Sequence, residues 1–244
     1  MRAAGQAVAQ TLQAIRAAAV PGVRLRELDD LAQTMSREAG AVSPFLGAQP
    51  SWAPTPFNGV LCLSPNEIVV HGKPNGRRLR EGDLPSIDCG AIIDGWNGDA
   101  AITVHVGEAS DDDVRLVIAA EQALQAGIAA AVPGATLLDV AVAVDHVAQA
   151  HGFSHLADHG GHGIGREMRE APFVPNEPTR DTQHRFDGDG VAGVQAVAGH
   201  AGTSRYRTKK DGWSIATADG KRAAHVEHTV AVTDDRPEIL TARS

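Results

Sequence analysis

Several features that would classify a chain quickly are scarce here. The 244 residues include only two cysteines, Cys62 and Cys89. They are too few for a disulfide framework and too far apart for a close-spaced metal motif, which leaves two buried thiols in a reducing compartment. No uninterrupted apolar run reaches membrane-spanning length, and the opening MRAAGQAVAQ has no long apolar core of the kind a secretory signal needs. Basic charge is also short. Lys and Arg number 22 against 30 Asp and Glu, a formal charge of -8, so a nucleic-acid surface would have to be a local exception. The glycine-rich GHGIG lacks the GxGxxG and GxxxxGK spacings of nucleotide loops. What remains is a cytoplasmic globular chain, long enough to bury its own core without a metal or disulfide staple.

What is present begins with a repeat. AAAVPGVRLRELDDLAQTMSREAG ends at Gly40 and AAAVPGATLLDVAVAVDHVAQAHG ends at Gly152, 112 residues later. Each copy reads as an alanine-rich helix closed by Val-Pro-Gly, a second amphipathic helix, and a glycine suited to a C-cap. The predicted helices are Ala3 to Ala18, Leu25 to Glu38, Asp112 to Ala131 and Leu137 to Ala150, with Thr136 as N-cap and Asp139 as its capping partner. Strand-like alternation follows each pair: Gly59 to Ser64, Ser86 to Ile93, Ala100 to Val106, Gly193 to Val197, Trp213 to Thr217 and Ala224 to Val232. Helix pairs feeding mostly antiparallel strands predict an α+β (mixed α/β) fold rather than a doubly wound sheet. The repeat divides a single domain, residues 1-244, into similar halves of about 1-109 and 110-244.

Several polar residues interrupt the apolar strands. In IDCGAIIDGWNGDAAITVHVG a hairpin turning at Asp94 and Gly95 places Asp88 and Asp99 nearly equidistant from the turn, facing one another. Paired carboxylates there repel and are costly to desolvate unless a cation lies between them. A metal ion is the natural answer, and protonation or a partner arginine are the alternatives. In AAHVEHTVAVT, alternation puts His225, Glu227 and Thr229 on one face. His162, between glycines in DHGGHGIG, reads as an imidazole held out to touch something. Three carboxylates and one imidazole form a donor mix that suits Mn, Co, Fe or Zn, and could bridge two ions as hydrolytic two-metal centres do. His71, at the end of NEIVVHGKP, is the remaining candidate for substrate contact.

SPNEIVVHGKP, the Asp88 to Asp99 hairpin, GGHGIGREMREAPFVPN and KKDGWSIATADGKRAAHVEHTV occur in an order and spacing that resembles a type I methionine aminopeptidase of the pita-bread metallopeptidases. The resemblance runs from the first helix to EHTVAVTDDRPEILT. It implies removal of the N-terminal methionine from nascent or newly made proteins, using up to two divalent ions (Co, Mn, Fe or Zn). Asp88, Asp99, His162 and Glu227 match its metal ligands, with Glu227 as the bridging carboxylate; a further glutamate that moves the proton in the family has no counterpart here, and Glu227 would have to take over that task. His71 matches its substrate-contacting imidazole, and the Phe57 to Cys62 segment its methionine pocket. A monomer with transient ribosome contact, and no nucleic-acid or membrane specificity, goes with that reading.

Two positions depart from the pattern. The family's second substrate-contacting histidine, seven residues after His162, is replaced by Arg169. Counting fifteen residues back from Asp211 to the family's metal-ligand glutamate lands on Ala196, with Gln195 expected on the opposite strand face. One metal site is therefore expected to be weakened, and Arg169 brings a charge that cannot titrate near neutral pH. The competing reading is a pita-bread homologue that binds peptide or protein N-termini without cleaving them.

Overall fold

The computed structural model describes residues 1–179, 184–186 and 204–243, together with the backbone of 191–199. Four helices form where the repeat predicts them: α1 (Arg2–Ala18), α2 (Leu25–Glu38), α3 (Asp111–Ala130) and α4 (Leu137–Ala150). In α1, Val8, Leu12 and Ile15 recur at helical spacing and are completely buried, each stabilising the fold by roughly 1.5–3 kcal/mol. The α4 capping box is present: the Asp139 amide donates to Thr136 Oγ1 (3.3 Å) and the Thr136 amide to Asp139 Oδ2 (2.7 Å). Gly40 and Gly152 close their helix pairs at φ +65° and +76°, a conformation in which a side chain would be strained.

Among the described residues there are twelve strands, in chain order β1 (Leu61–Pro65), β2 (Ile68–Val70), β3 (Pro85–Ile93), β4 (Trp96–Thr103), β5 (Ser154–His155), β6 (Gly160–Gly163), β7 (Glu170–Pro175), β8 (Val191–Gly199), β9 (Tyr206–Thr208), β10 (Ile215–Thr217), β11 (Ala223–Val232) and β12 (Pro237–Ile239). Nine of them make one antiparallel sheet of order β1-β3-β4-β11-β8-β6-β7, with β12 on β11 and β5 on β8. The other three form a small sheet, β2-β10-β9. Compared with the sequence reading, the Asp99 strand starts at Trp96 rather than Ala100, and Trp213 precedes its strand rather than opening it.

Two apolar cores lie under the helix pairs. One gathers residues from Ala7 to Val106 beneath α1 and α2, and the other is built mainly from α3, α4 and β11. β4 and β11, paired at Ala101 and Glu227, run side by side where the two meet. Buried Asp29 of α2 ties the first helix pair to β1 by accepting from the Val60 and Leu61 amides at 2.8 and 2.9 Å. Among the described residues no helix is long and apolar enough to cross a membrane.

Candidate metal centre

The site is a product of register. Cys62 pairs with Asp88, Asp88 with Ala101, Ala101 with Glu227, and Glu227 with Gln195, so one row crosses β1, β3, β4, β11 and β8. Directly opposed residues of antiparallel strands share a face. The next row on that face holds Asp99, Thr229, Gly193 and His162. The Thr229 hydroxyl accepts from the Asp99 amide (3.0 Å) and donates to the Asp99 carbonyl (2.7 Å), Gly193 pairs with Thr229, and His162 pairs with Gly193. Each row therefore carries polar ends and a small residue, Ala101 or Gly193, between them. Ala101, between Asp88 and Glu227, and Gly193, between Thr229 and His162, put little or no side chain on the face they share.

Asp88 and Asp99 do not face one another directly, as equal distance from the turn had suggested. The hairpin turns between Asp94 and Gly95, both at positive φ, and the register sets Asp99 opposite Gly90, making the two aspartates diagonal neighbours on one face. Their carboxyl groups still lie close enough for each to shift the other's ionisation. Such diagonal pairs are within reach of each other across a sheet. One donor atom each from Asp99, His162 and Glu227 lies within 4.8 Å of the others.

His162 is not held out on a loop: it lies within β6 and is 8% exposed. The glycines around it serve close packing. A Cβ on Gly160 would come within 2.3 Å of the Val174 carbonyl oxygen, and one on Gly163 within 2.2 Å of the Ala171 carbonyl oxygen, so β6 can lie against β7 only without side chains there. His162 Nδ1 donates to the Gly163 carbonyl (2.9 Å), which leaves Nε2 as a lone-pair donor suited to a metal ion.

Buried acids this close resist ionising together. Burial, then Asp88 and Glu227, push the Asp99 carboxyl well above the ordinary range, while Asp88 is raised to about 6 mainly by burial and also by Glu227. Asp88 Oδ1 and Asp99 Oδ1 are buried without a hydrogen-bond partner. Orphaned carboxylate oxygens and an oriented imidazole are what a divalent cation needs as ligands, so these residues fit one.

All the predicted site residues border one cavity of about 930 Å³. The acids and His162 occupy one part, and Phe57, Cys62 and Trp213 form an apolar wall. His71, at φ 58° just after β2, stacks on Trp52 at 5.8 Å between centroids and meets Trp213 edge-on at 6.3 Å. Burial and the Arg169 charge push its imidazole down to about 3. Arg169 Nη2 lies 3.4 Å from His71 Nε2. Because guanidinium only donates, Nε2 accepts, and His71 is neutral with its proton on Nδ1.

The β8 register differs from the count along the chain. Gln195 stands opposite Glu227, at the register position of the site face, and Ala196 stands opposite Val226, a residue of the second core. The side chains of both lie outside the described residues; neither is a glutamate. Sequence reasoning also missed Trp52, which sits in a proline-rich stretch without periodicity, and made no use of His225. Alternation had already placed His225 on the Glu227 face, and its Nε2 lies 3.4 Å from Glu227 Oε2.

The sequence matches the profile of metallopeptidase family M24 over residues 1–234. It is 46% identical to methionine aminopeptidase 1 of Mycobacterium tuberculosis, with 99% of this chain and 91% of the relative aligned. It is 36% identical to methionine aminopeptidase 1 of Bacillus subtilis, covering 99% and 94%. The crystal structure of methionine aminopeptidase from Thermotoga maritima superposes with a TM-score of 0.94 at 34% identity, over all of this chain and 95% of that one. With its α+β architecture of helix pairs on a mainly antiparallel sheet, the chain belongs to metallopeptidase family M24 and has the pita-bread fold.

Proposed function

We propose that this chain is a methionine aminopeptidase that removes the N-terminal methionine of newly made proteins. The observation that carries this reading is the convergence of Asp99, His162 and Glu227 within 4.8 Å on the floor of a cavity whose wall is apolar and aromatic. Whole-length similarity to methionine aminopeptidases supports it over a binder of peptide N-termini.

A bound divalent ion supplies Lewis-acid polarisation of the scissile carbonyl and activation of water. Asp99, His162 and Glu227 would hold it, with Asp88 completing a second position beside Asp99, and either Mn, Co, Fe or Zn suits these donors. Glu227, with His225 beside it, is placed to take and pass on a proton. Phe57, Cys62 and Trp213 offer a soft apolar wall for the thioether side chain. His71 and Arg169 contact the peptide beyond it. With no glutamate at 195 or 196, one of two metal positions is held more weakly and turnover is reduced. The chain acts as one catalytic domain of two halves, about 1-109 and 110-244, as a cytoplasmic monomer meeting nascent chains through transient ribosome contact.

The test is cleavage of a Met-Ala-Ser peptide by purified protein loaded in turn with Mn, Co, Fe and Zn. Release of methionine with at least one metal is expected. Metal bound at the cluster with no methionine released under any loading would overturn the reading in favour of the non-cleaving binder.

A further inference from the structure

Arg169 is the last residue before β7, on the turn that joins it to the His162 strand. Its guanidinium borders the cavity and is near enough to lower the carboxyls of Asp88 and Asp99 and the imidazole of His71. Arg166, three residues earlier, is fully engaged: it donates to the Asp94 carbonyl at 2.9 Å and stacks over Trp96 at 3.9 Å. Arg169 has no such anchorage. Among the described residues its one hydrogen bond is the long contact to His71, and it forms no ion pair. A guanidinium has five N–H donors in a planar fork that matches a carboxylate.

We propose that Arg169 makes this site selective for substrates bearing a carboxylate on the residue that follows the methionine. The proposal rests on the methionine aminopeptidase reading and adds a substrate class to it. The apolar wall, His71 and Arg169 form a chain of contacts lining the cavity: Trp213 meets Phe57 (4.9 Å) and His71 (6.3 Å), and His71 in turn meets Arg169 (3.4 Å). A methionine side chain against Phe57 and Trp213 directs the next residue past His71 to the guanidinium. With Asp88, Asp99 and Glu227 committed as metal ligands, Arg169 would lack a counter-charge, and a substrate carboxylate would supply one. That carboxylate comes from the free C-terminus of a Met-Xaa dipeptide or from an acidic second side chain, and a neutral amide provides neither.

Four substrates separate these sources on the metal-loaded full-length protein: Met-Ala, Met-Ala amide, Met-Ala-Ser amide and Met-Asp-Ser amide. The expected result is that Met-Ala exceeds Met-Ala amide, or Met-Asp-Ser amide exceeds Met-Ala-Ser amide, by about tenfold or more in kcat/KM, mainly through KM. Whichever pair shows the gain identifies the main-chain or side-chain source. Arg169→Gln should bring that ratio to about one, and Arg169→Lys should keep part of it. Ratios near one in the unaltered protein, or a large ratio that survives Arg169→Gln, would overturn the proposal. Should none of the four be cleaved, the methionine aminopeptidase reading fails, and calorimetry with the same pairs judges the carboxylate preference separately. Tighter binding of the acid that disappears in Arg169→Gln supports the preference, and equal affinities overturn it.

Discussion

Asp88, Asp99 and Glu227 stand on neighbouring strands in the middle of the large sheet, whereas His71 and Arg169 are carried by a turn after a three-residue strand and by a hairpin connection. The acids are fixed by a continuous hydrogen-bonded register with apolar cores behind it. His71 and Arg169 have short elements and a few aromatic contacts around them. A strand residue cannot shift without moving its row to the other face, while a turn residue can be exchanged with little effect on the fold. It is consistent with this division that the departure at Arg169 falls on a turn, at the substrate end. The other departure lies within β8, on the row that ends at Gln195, and bears on the metal end.

The largest expected effect probes the metal end. Asp99→Ala should lower affinity for Mn or Co by more than about a hundredfold, since losing even an outer-shell partner of a ligand typically costs 10–100-fold. Asp88→Ala should cost less, because in the proposed centre Asp88 would serve one ion and Asp99 two. Titration calorimetry on both variants checks this, and equal losses would mean that a single ion is shared evenly or that the roles are reversed.

Next in size is Ala101, the small residue between Asp88 and Glu227 in their row. Ala101→Leu should fill the space over that row and reduce metal affinity about tenfold or more, with overpacking costing roughly 1–3 kcal/mol of stability. Unchanged metal binding in a folded Ala101→Leu protein would show that the open row is not where the ion sits.

A smaller effect comes from the charge state of the acids. In metal-free protein the Asp88 carboxyl titrates near 6, above the 3.8 of the ordinary carboxyl, because burial disfavours its charge. Between those values the folded chain retains a proton that the unfolded chain has released, so this contribution is intact below about pH 4 and is lost as pH rises through 6. The Tm of metal-free protein relative to that of Asp88→Asn should therefore fall by a few degrees between pH 4 and pH 7, and added metal should reverse the fall. A flat or rising difference would contradict the burial of an unpaired acid cluster.

The smallest effect is expected at the substrate end. Trp52 is 53% exposed and stacks on His71, so Trp52→Ala should raise KM for a Met-peptide a few-fold and leave Tm and metal affinity nearly unchanged. A large loss of metal binding there would erase the distinction between the two ends.

The same division sets what could be read from sequence. Asp88, Asp99 and Glu227 were legible because an acid within an alternating apolar strand needs a reason, and both helix pairs were legible from their period and caps. His162 was found, but its strand was not, because Gly160 and Gly163 argue against a strand locally. Their purpose is the approach of β7, a contact made later in the chain. The diagonal placement of Asp88 and Asp99 depended on a two-residue turn whose register sequence alone did not fix. Counting along the chain put Ala196 where pairing with β11 puts Gln195, since spacing through a connection does not define which strand position lies opposite Glu227. Trp52 left no signal, as its place beside His71 comes from tertiary packing.

The most direct test of the account is anomalous scattering from a crystal of the protein soaked in manganese. The account predicts an ion between Asp99, His162 and Glu227, with donor atoms at about 2.0–2.2 Å as in comparable nitrogen and carboxylate sites. An ion bound elsewhere, or acids left without an ion and with the Arg169 guanidinium turned in among them, would contradict it.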